Sequence, residues 1–132
     1  MNLLVQRGIK TAIVTARQSS INEHRAKELG VHHLLQGQKN KLEALKQLLA
    51  KEGLTWSEVA YVGDDLPDYK VLQQAGLACC PADAVKEIKS VCHFVSQFPG
   101  GQGAVREITD LILRTQGLHP IDLESDAVLV TP

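Results

Sequence analysis

Short apolar runs rich in β-branched residues alternate along this chain with stretches of helical period, and that alternation leaves few folds open. Lys10–Thr15 (KTAIVT) has the composition of a strand buried on both faces. Ser20 opens S-I-N-E, a capping-box pattern with Glu23 in the first turn, and Gly30 is placed to stop the helix. Val31–Leu35 predicts a second strand. Asn40–Glu43 reads as another helix start; Leu42, Leu45, Leu48 and Leu49 share one face, and Gly53 ends the run. Thr55–Glu58 predicts a single turn and Val59–Val62 a third strand. Pro67 suits the first turn of a helix through about Gln74. Leu77–Cys80, Ala84–Lys89 and Cys92–Val95 read as strand, short helix and strand. The loop Pro99–Gly103 leads into a last helix marked by Val105, Ile108, Leu111 and Ile112, ending near Gly117. Periodicity is lost from Leu118, so residues 118–132 are expected to form a tail behind one domain, residues 1–117.

Strands alternating with helices imply a parallel sheet covered on both faces, a three-layer Rossmann-like α/β fold. A length of 132 residues suits one domain, and 44% hydrophobic against 4% aromatic residues means an aliphatic core. The net charge of −1 argues against a polybasic nucleic-acid binder. No apolar run reaches the roughly 20 residues of a membrane span. The opening MNLLVQRGIK lacks the basic and apolar regions of a signal peptide. Three cysteines, two of them adjacent (Cys79 and Cys80, with Cys92), read as buried reduced thiols of a cytoplasmic protein rather than a disulfide framework.

In a parallel α/β sheet the chemistry sits at the carboxyl ends of the strands. That rule selects Thr15–Arg17, Gly37–Lys41 and Gly63–Asp65. Asp64, Asp65 and Asp68 of GDDLPD repel one another unless a cation or basic group sits among them. Hard oxygen ligands of this kind suit Mg²⁺; an acidic helix cap is the competing reading. The Thr15 hydroxyl either donates to a phosphate or bonds its own turn. Lys41, a cation at a helix start, either meets an anion or is an ordinary surface lysine, and Arg17 carries the same ambiguity. Arg106 is open between a site residue, a subunit contact and a helix salt bridge. His24, His32, His33, His93 and His119 show no metal-site spacing with the acids, and Trp56 reads as packing a turn.

Taken in order, an apolar strand ending in Thr, then Lys, then GDDxxD resembles the haloacid dehalogenase superfamily of phosphohydrolases. IVTAR, LLQGQKNKLEAL, VAYVGDDLPD and GGQGAVREITDLIL resemble, more narrowly, its capless 3-deoxy-D-manno-octulosonate 8-phosphate phosphatases, from Met1 to about Gly117. The resemblance implies a haloacid dehalogenase-like fold and a Mg²⁺-dependent hydrolase. It would release the free sugar acid and phosphate in lipopolysaccharide precursor synthesis. It implies Thr15 and Lys41 as catalytic residues. Thr15, Arg17, Lys41 and Arg106 become substrate contacts, Asp64 a direct metal ligand, and Asp65 and Asp68 residues that orient ligands or waters around the metal. It also implies a homotetramer.

The sequence departs from the family at several points. Gln102 stands where the family's Gly-rich loop usually has Arg, and Lys39 where a small polar residue is common. The first motif, an Asp-x-Asp that supplies nucleophile and general acid/base at the end of a central strand, follows no apolar run here. Asp122 and Asp126 have the wrong spacing for it. MNLLVQRG has helical apolar residues and no N-cap. The expectation is that Met1 is an internal methionine of a longer protein. The missing strand would then lie between Val59–Val62 and Lys10–Thr15, leaving two sheet edges exposed, and the chain would lack turnover by itself. Two other classes fit the motifs less well. A non-catalytic assembly domain, like the C-terminal module of animal sialic-acid cytidylyltransferases, has no need of Thr15, Lys41 and three carboxylates. A receiver-like signalling domain would carry its acids before its Thr and Lys.

Overall fold

The computed structural model describes residues 9–115 and 128–131. Strand β1 (Lys10–Val14) leads to helix α1 (Ser20–Leu29), strand β2 (His33–Leu35) and helix α2 (Lys41–Glu52). A 3₁₀ turn at Trp56–Glu58 precedes β3 (Val59–Val62), and a second at Leu66–Asp68 precedes α3 (Tyr69–Gln74). Then come β4 (Leu77–Cys80), α4 (Lys86–Val91), β5 (Phe94–Val95), α5 (Ala104–Thr115) and β6 (Val128–Thr131).

The helix boundaries follow from local chemistry. Asn40 caps α2, its side chain accepting from the Glu43 N–H, and Gly53 closes the helix at φ 69° in the left-handed region, as the sequence predicts. For α1 the cap is Ser19 rather than Ser20: the Ser19 side chain accepts from Asn22 N–H, and Ser20 is the first helical residue. Pro67 lies in a 3₁₀ turn, and the α-helix proper starts two residues later.

All strand pairings are parallel, in the order β2-β1-β6-β3-β4-β5. Every residue of β3 is buried, as are four of the five in β1, so both faces of the sheet are covered. On one face Leu45, Leu48 and Leu49 of α2, Val71 and Leu72 of α3 and Ile88 of α4 pack on Ala12, Val14, Val59, Tyr61, Ala78 and Cys80. Trp56 packs against the rim of this cluster, half-buried. On the other face Ile108, Ile112 and Leu113 of α5 pack on Ala60, Val62 and Cys79. Helix α1 shares this second face, since Arg25 and Leu29 line one cavity with Ile13, Val62 and Val105. The layered parallel fold expected from the alternation is therefore present.

One strand was not expected. Residues 128–131, placed in the tail by their lack of periodicity, form β6 between β1 and β3. Lys10 pairs with Val128 and Ile13 with Thr131 on one side, and Val59 with Val128 and Tyr61 with Val130 on the other. The central position expected to be missing is filled, and β1 and β3 present no open edges to each other. The expected helical character of MNLLVQRG and the helix end near Gly117 fall outside the described residues. No described helix is long and apolar enough to cross a membrane. Cys79 and Cys80 are buried and Cys92 is half-buried, all as free thiols. Burial pushes the Cys79 thiol up to about 12.

Candidate active site

The carboxyl ends of β1 and β3 bring Thr15 and Asp64 to one end of the sheet, beside the carboxyl end of β6. Thr15 is fixed by its main chain: its N–H donates to the Leu35 carbonyl at 2.9 Å, and its carbonyl accepts from Gln38 N–H at 3.0 Å. Its hydroxyl oxygen accepts from Arg17 N–H at 3.2 Å. The own-turn bond therefore forms, and the hydroxyl proton is still available to an acceptor such as a phosphate oxygen. Arg17 is exposed, and its carbonyl accepts from Gly37 N–H at 3.3 Å, tying the loops after β1 and β2 together.

Beneath this rim lies a buried polar hub. The Asp68 carboxylate is 1% exposed. Its Oδ1 accepts from Lys41 Nζ at 2.9 Å and from the Tyr61 hydroxyl at 2.5 Å. Its Oδ2 accepts from the Asp64 N–H at 3.1 Å and from the Asp65 N–H at 3.4 Å. Both oxygens are thus occupied, and the loop carrying Asp64 is pinned from below. Burial, and then the adjacent Asp68 carboxylate, push the Tyr61 phenol far above its ordinary value, so it stays a donor. Gly63 makes the close approach possible: a Cβ there would stand 2.5 Å from the Cβ of Asp68. No other residue fits without moving the hub.

The three carboxylates therefore do not act as a cluster. Asp68 points into the hub, Asp65 accepts from Leu66 N–H at 2.8 Å to cap the following turn, and Asp64 is exposed. Among the described residues no three His, Cys, Asp or Glu side chains form a ready cation cage. Partial desolvation at the strand end, reinforced by Asp68 and Asp65, raises the Asp64 carboxyl above its usual range, with Lys41 partly offsetting it. Lys41 is 8% exposed, so the surface-lysine reading is wrong: its charge is matched by Asp68. The sequence missed Tyr61, which reads as one more apolar strand residue in VAYV. The available signal was that a phenol in a fully buried strand needs an acceptor.

Asp64 and Arg106 line a cavity of about 620 Å³ together with Asn22, Arg25 and Asp83. Arg106 thereby faces the site end of the sheet, though it is exposed. Asp83 accepts from Gly100 N–H at 2.8 Å and holds the Pro99–Gly103 loop over that cavity. Lys41 lines a separate cavity of about 670 Å³ with Lys39 and Lys70, and Thr15 and Arg17 line neither. Asn22 and Arg25, three apart on α1, were not singled out from the sequence; their shared helix face after the first strand was the signal.

The family model for haloacid dehalogenase-like hydrolase matches residues 30–108, more than half of the chain. The chain belongs to this family. It is 45% identical over 113 residues to the 3-deoxy-D-manno-octulosonate 8-phosphate phosphatase KdsC of Yersinia pestis, covering 86% of this chain and 60% of that protein. Against the protein of the same name from Escherichia coli K12 it is 45% identical over 109 residues, 83% of this chain and 58% of the relative. It thus spans about 60% of the length of these curated relatives. Among solved structures, a 3-deoxy-D-manno-octulosonate 8-phosphate phosphatase from Moraxella catarrhalis, in complex with magnesium ion, phosphate ion and a KDO molecule, superposes with a TM-score of 0.86. The match is 43% identical and covers 88% of this chain and 67% of that one. The cobalt-bound deoxy-D-mannose-octulosonate 8-phosphate phosphatase from Haemophilus influenzae gives 0.83 at 33% identity, covering 87% of this chain and 67% of that one. These matches agree with the branch that the motifs resemble.

Proposed function

We propose that this chain belongs to a Mg²⁺-dependent sugar-phosphate phosphatase acting on 3-deoxy-D-manno-octulosonate 8-phosphate, in the cytoplasm and as a homotetramer. The observation that carries the reading is the Thr15 hydroxyl and the Asp64 carboxylate at one sheet end, with Asp64 held from below by the Lys41–Asp68 pair. The likeness to phosphatases of that name supports the substrate.

One outward carboxylate at a strand end fits Mg²⁺, which takes one or two protein carboxylates and fills its shell with water and phosphate oxygens. Asp64 would hold it; Asp65 would act through the turn that it caps and Asp68 through the Asp64 N–H, rather than as ligands. When bound, the cation screens the approach of a phosphate to the acidic loop. The chain's own residues bind and orient. Thr15 donates its hydroxyl proton to a phosphate oxygen, and the Arg17 and Arg106 guanidinium groups match phosphate or carboxylate charge. Lys41 holds the Asp68 carboxylate by their ion pair, and Asp68 in turn holds the Asp64 loop in place through the Asp64 N–H. The 132 residues contain no Asp-x-Asp after an apolar strand, so the chain by itself is expected not to turn substrate over.

The test is calorimetric titration of inorganic phosphate and of 3-deoxy-D-manno-octulosonate 8-phosphate into the chain, with and without Mg²⁺. Binding strengthened by Mg²⁺ and abolished in Asp64→Asn is expected. Binding indifferent to both would sink the metal assignment. Turnover by the pure 132-residue chain, lost on Lys41→Ala, would overturn the expectation of inactivity.

A further inference from the structure

Lys41 borders two places: the hub beneath Asp64, and a cavity of about 670 Å³ that neither Thr15 nor Asp64 lines. That volume lies within the roughly 300–1,000 Å³ of small-molecule sites, and one inorganic phosphate would leave most of it to water. Its charge is unbalanced. Lys41 is matched by Asp68. Lys39, on the loop before α2, and Lys70, on α3, also line the cavity, and among the described residues neither has an acidic partner at ion-pair distance. Glu87 is the one acid in the wall. The amino-terminal turn of α2, Asn40–Leu42, forms another part of it, and the positive end of a helix favours an anion. Much of the rest is apolar: Leu42, Leu66, Pro67 and Tyr69. Leu66 is 61% exposed, a large apolar side chain left facing water.

We propose that this cavity is a nucleotide-binding site, taking a planar base against Leu42, Leu66, Pro67 and Tyr69 and a phosphate between Lys39 and Lys70. The two kinds of wall match the two ends of such a ligand. Two unmatched ammonium groups on separate elements suit a phosphate dianion. The apolar side disfavours a plain sugar phosphate, whose hydroxyls would each need a polar partner. A base instead covers apolar surface with its flat face and keeps its polar groups at its edge. Partners for that edge are present. The Asn40 Oδ1 accepts from Glu43 N–H at 3.1 Å, which leaves the amide N–H groups as donors. The Ser90 hydroxyl donates to the Glu87 carbonyl at 2.6 Å, so its oxygen remains an acceptor, and the Glu87 carboxylate is a second one. Metal separates this site from the rim at Asp64. A phosphate reaching Asp64 needs a cation between two negative groups, whereas here the chain's own lysines meet the anion.

The test is calorimetric titration of AMP, GMP, CMP and UMP into the 132-residue chain in EDTA, with inorganic phosphate and ribose 5-phosphate as comparisons. At least one nucleotide should bind with a Kd below about 1 mM. It should bind about tenfold or more tightly than either comparison, the margin that a stacked base supplies. Lys39→Ala and Lys70→Ala, both at exposed positions, should each weaken it about fivefold. Asp64→Asn should leave it unchanged. Absence of binding by all four nucleotides overturns the proposal. So does inorganic phosphate or ribose 5-phosphate binding as tightly as the best nucleotide, because the apolar wall would then have no base to meet. Binding that both lysine substitutions leave unchanged, or that Asp64→Asn abolishes, puts the nucleotide elsewhere and overturns it as well. None of these outcomes touches the Mg²⁺- and Asp64-dependent binding expected of the sugar phosphate, so the two readings fail separately.

Discussion

Asp64 and Asp68 lie four residues apart in one turn and sit in opposite surroundings. Asp68 is buried with both oxygens filled by Lys41, Tyr61 and two backbone N–H groups. Asp64 is exposed at the strand end and faces the repulsion of its two acidic neighbours. The hub is satisfied by the protein alone, whereas the rim is left for something from outside to complete. A charge in the hub therefore acts mainly on stability, and a charge on the rim mainly on binding.

The largest break in that contrast is Lys41→Met. It leaves the Asp68 carboxylate buried without its cation and should cost about 3–5 kcal/mol in urea unfolding. Arg17→Ala on the rim should stay within about 0.5 kcal/mol. Equal effects would show that Lys41 is not structural. Gly63→Ala comes next. The added Cβ collides with Asp68 Cβ, backbone-linked on both sides, and should destabilise by about 1–3 kcal/mol. A full-strength hub in a crystal structure of that variant would refute the packing argument. Tyr61→Phe removes one donor and leaves the other three partners of Asp68. Its cost should be about 1–2 kcal/mol, read from the shift in denaturation midpoint at constant slope.

The smallest effect belongs to the rim and has the opposite sign. A carboxyl raised in the folded state holds its proton more tightly there than in the unfolded chain. Stability is then lost as pH climbs from the ordinary carboxylate value through the raised one of Asp64. Asp64→Asn removes that loss. It should raise the metal-free melting temperature at pH 7 by at most a few degrees, with the gain vanishing as pH falls below the ordinary Asp value. Mg²⁺ should raise the melting temperature of the unaltered chain and leave the variant unmoved. A variant less stable than the unaltered chain at pH 7 without metal would contradict the assigned sign.

How much of this was legible beforehand differs by residue. Asn40 and Gly53 bounded α2 because caps and left-handed stops act within four residues. Ser19 and Ser20 offered two adjacent caps, and the chain path between β1 and α1 chose the first. Thr15, Lys41 and Asp64 were found by their place at strand ends. Their division of labour was not, because Lys41 and Asp68 are 27 residues apart and their pairing is made by the packing of α2 on the turn after β3. Val128–Thr131 was missed altogether: four residues carry too little period to be told from a tail, and a strand flanked on both sides by others needs no polar face to announce itself.

The sequence by itself determined the layered parallel α/β architecture, the strand ends that hold the chemistry and the family, since each of these rests on local periodicity, caps and short motifs. The tertiary structure alone decided which acid is buried and which is offered outward, that Tyr61 belongs to the hub, and that residues 128–131 complete the centre of the sheet. The physical reason is common to all three. They depend on burial and on hydrogen bonds between residues distant in the chain, and neither the desolvation of a carboxylate nor the pairing of a central strand exists until the layers close.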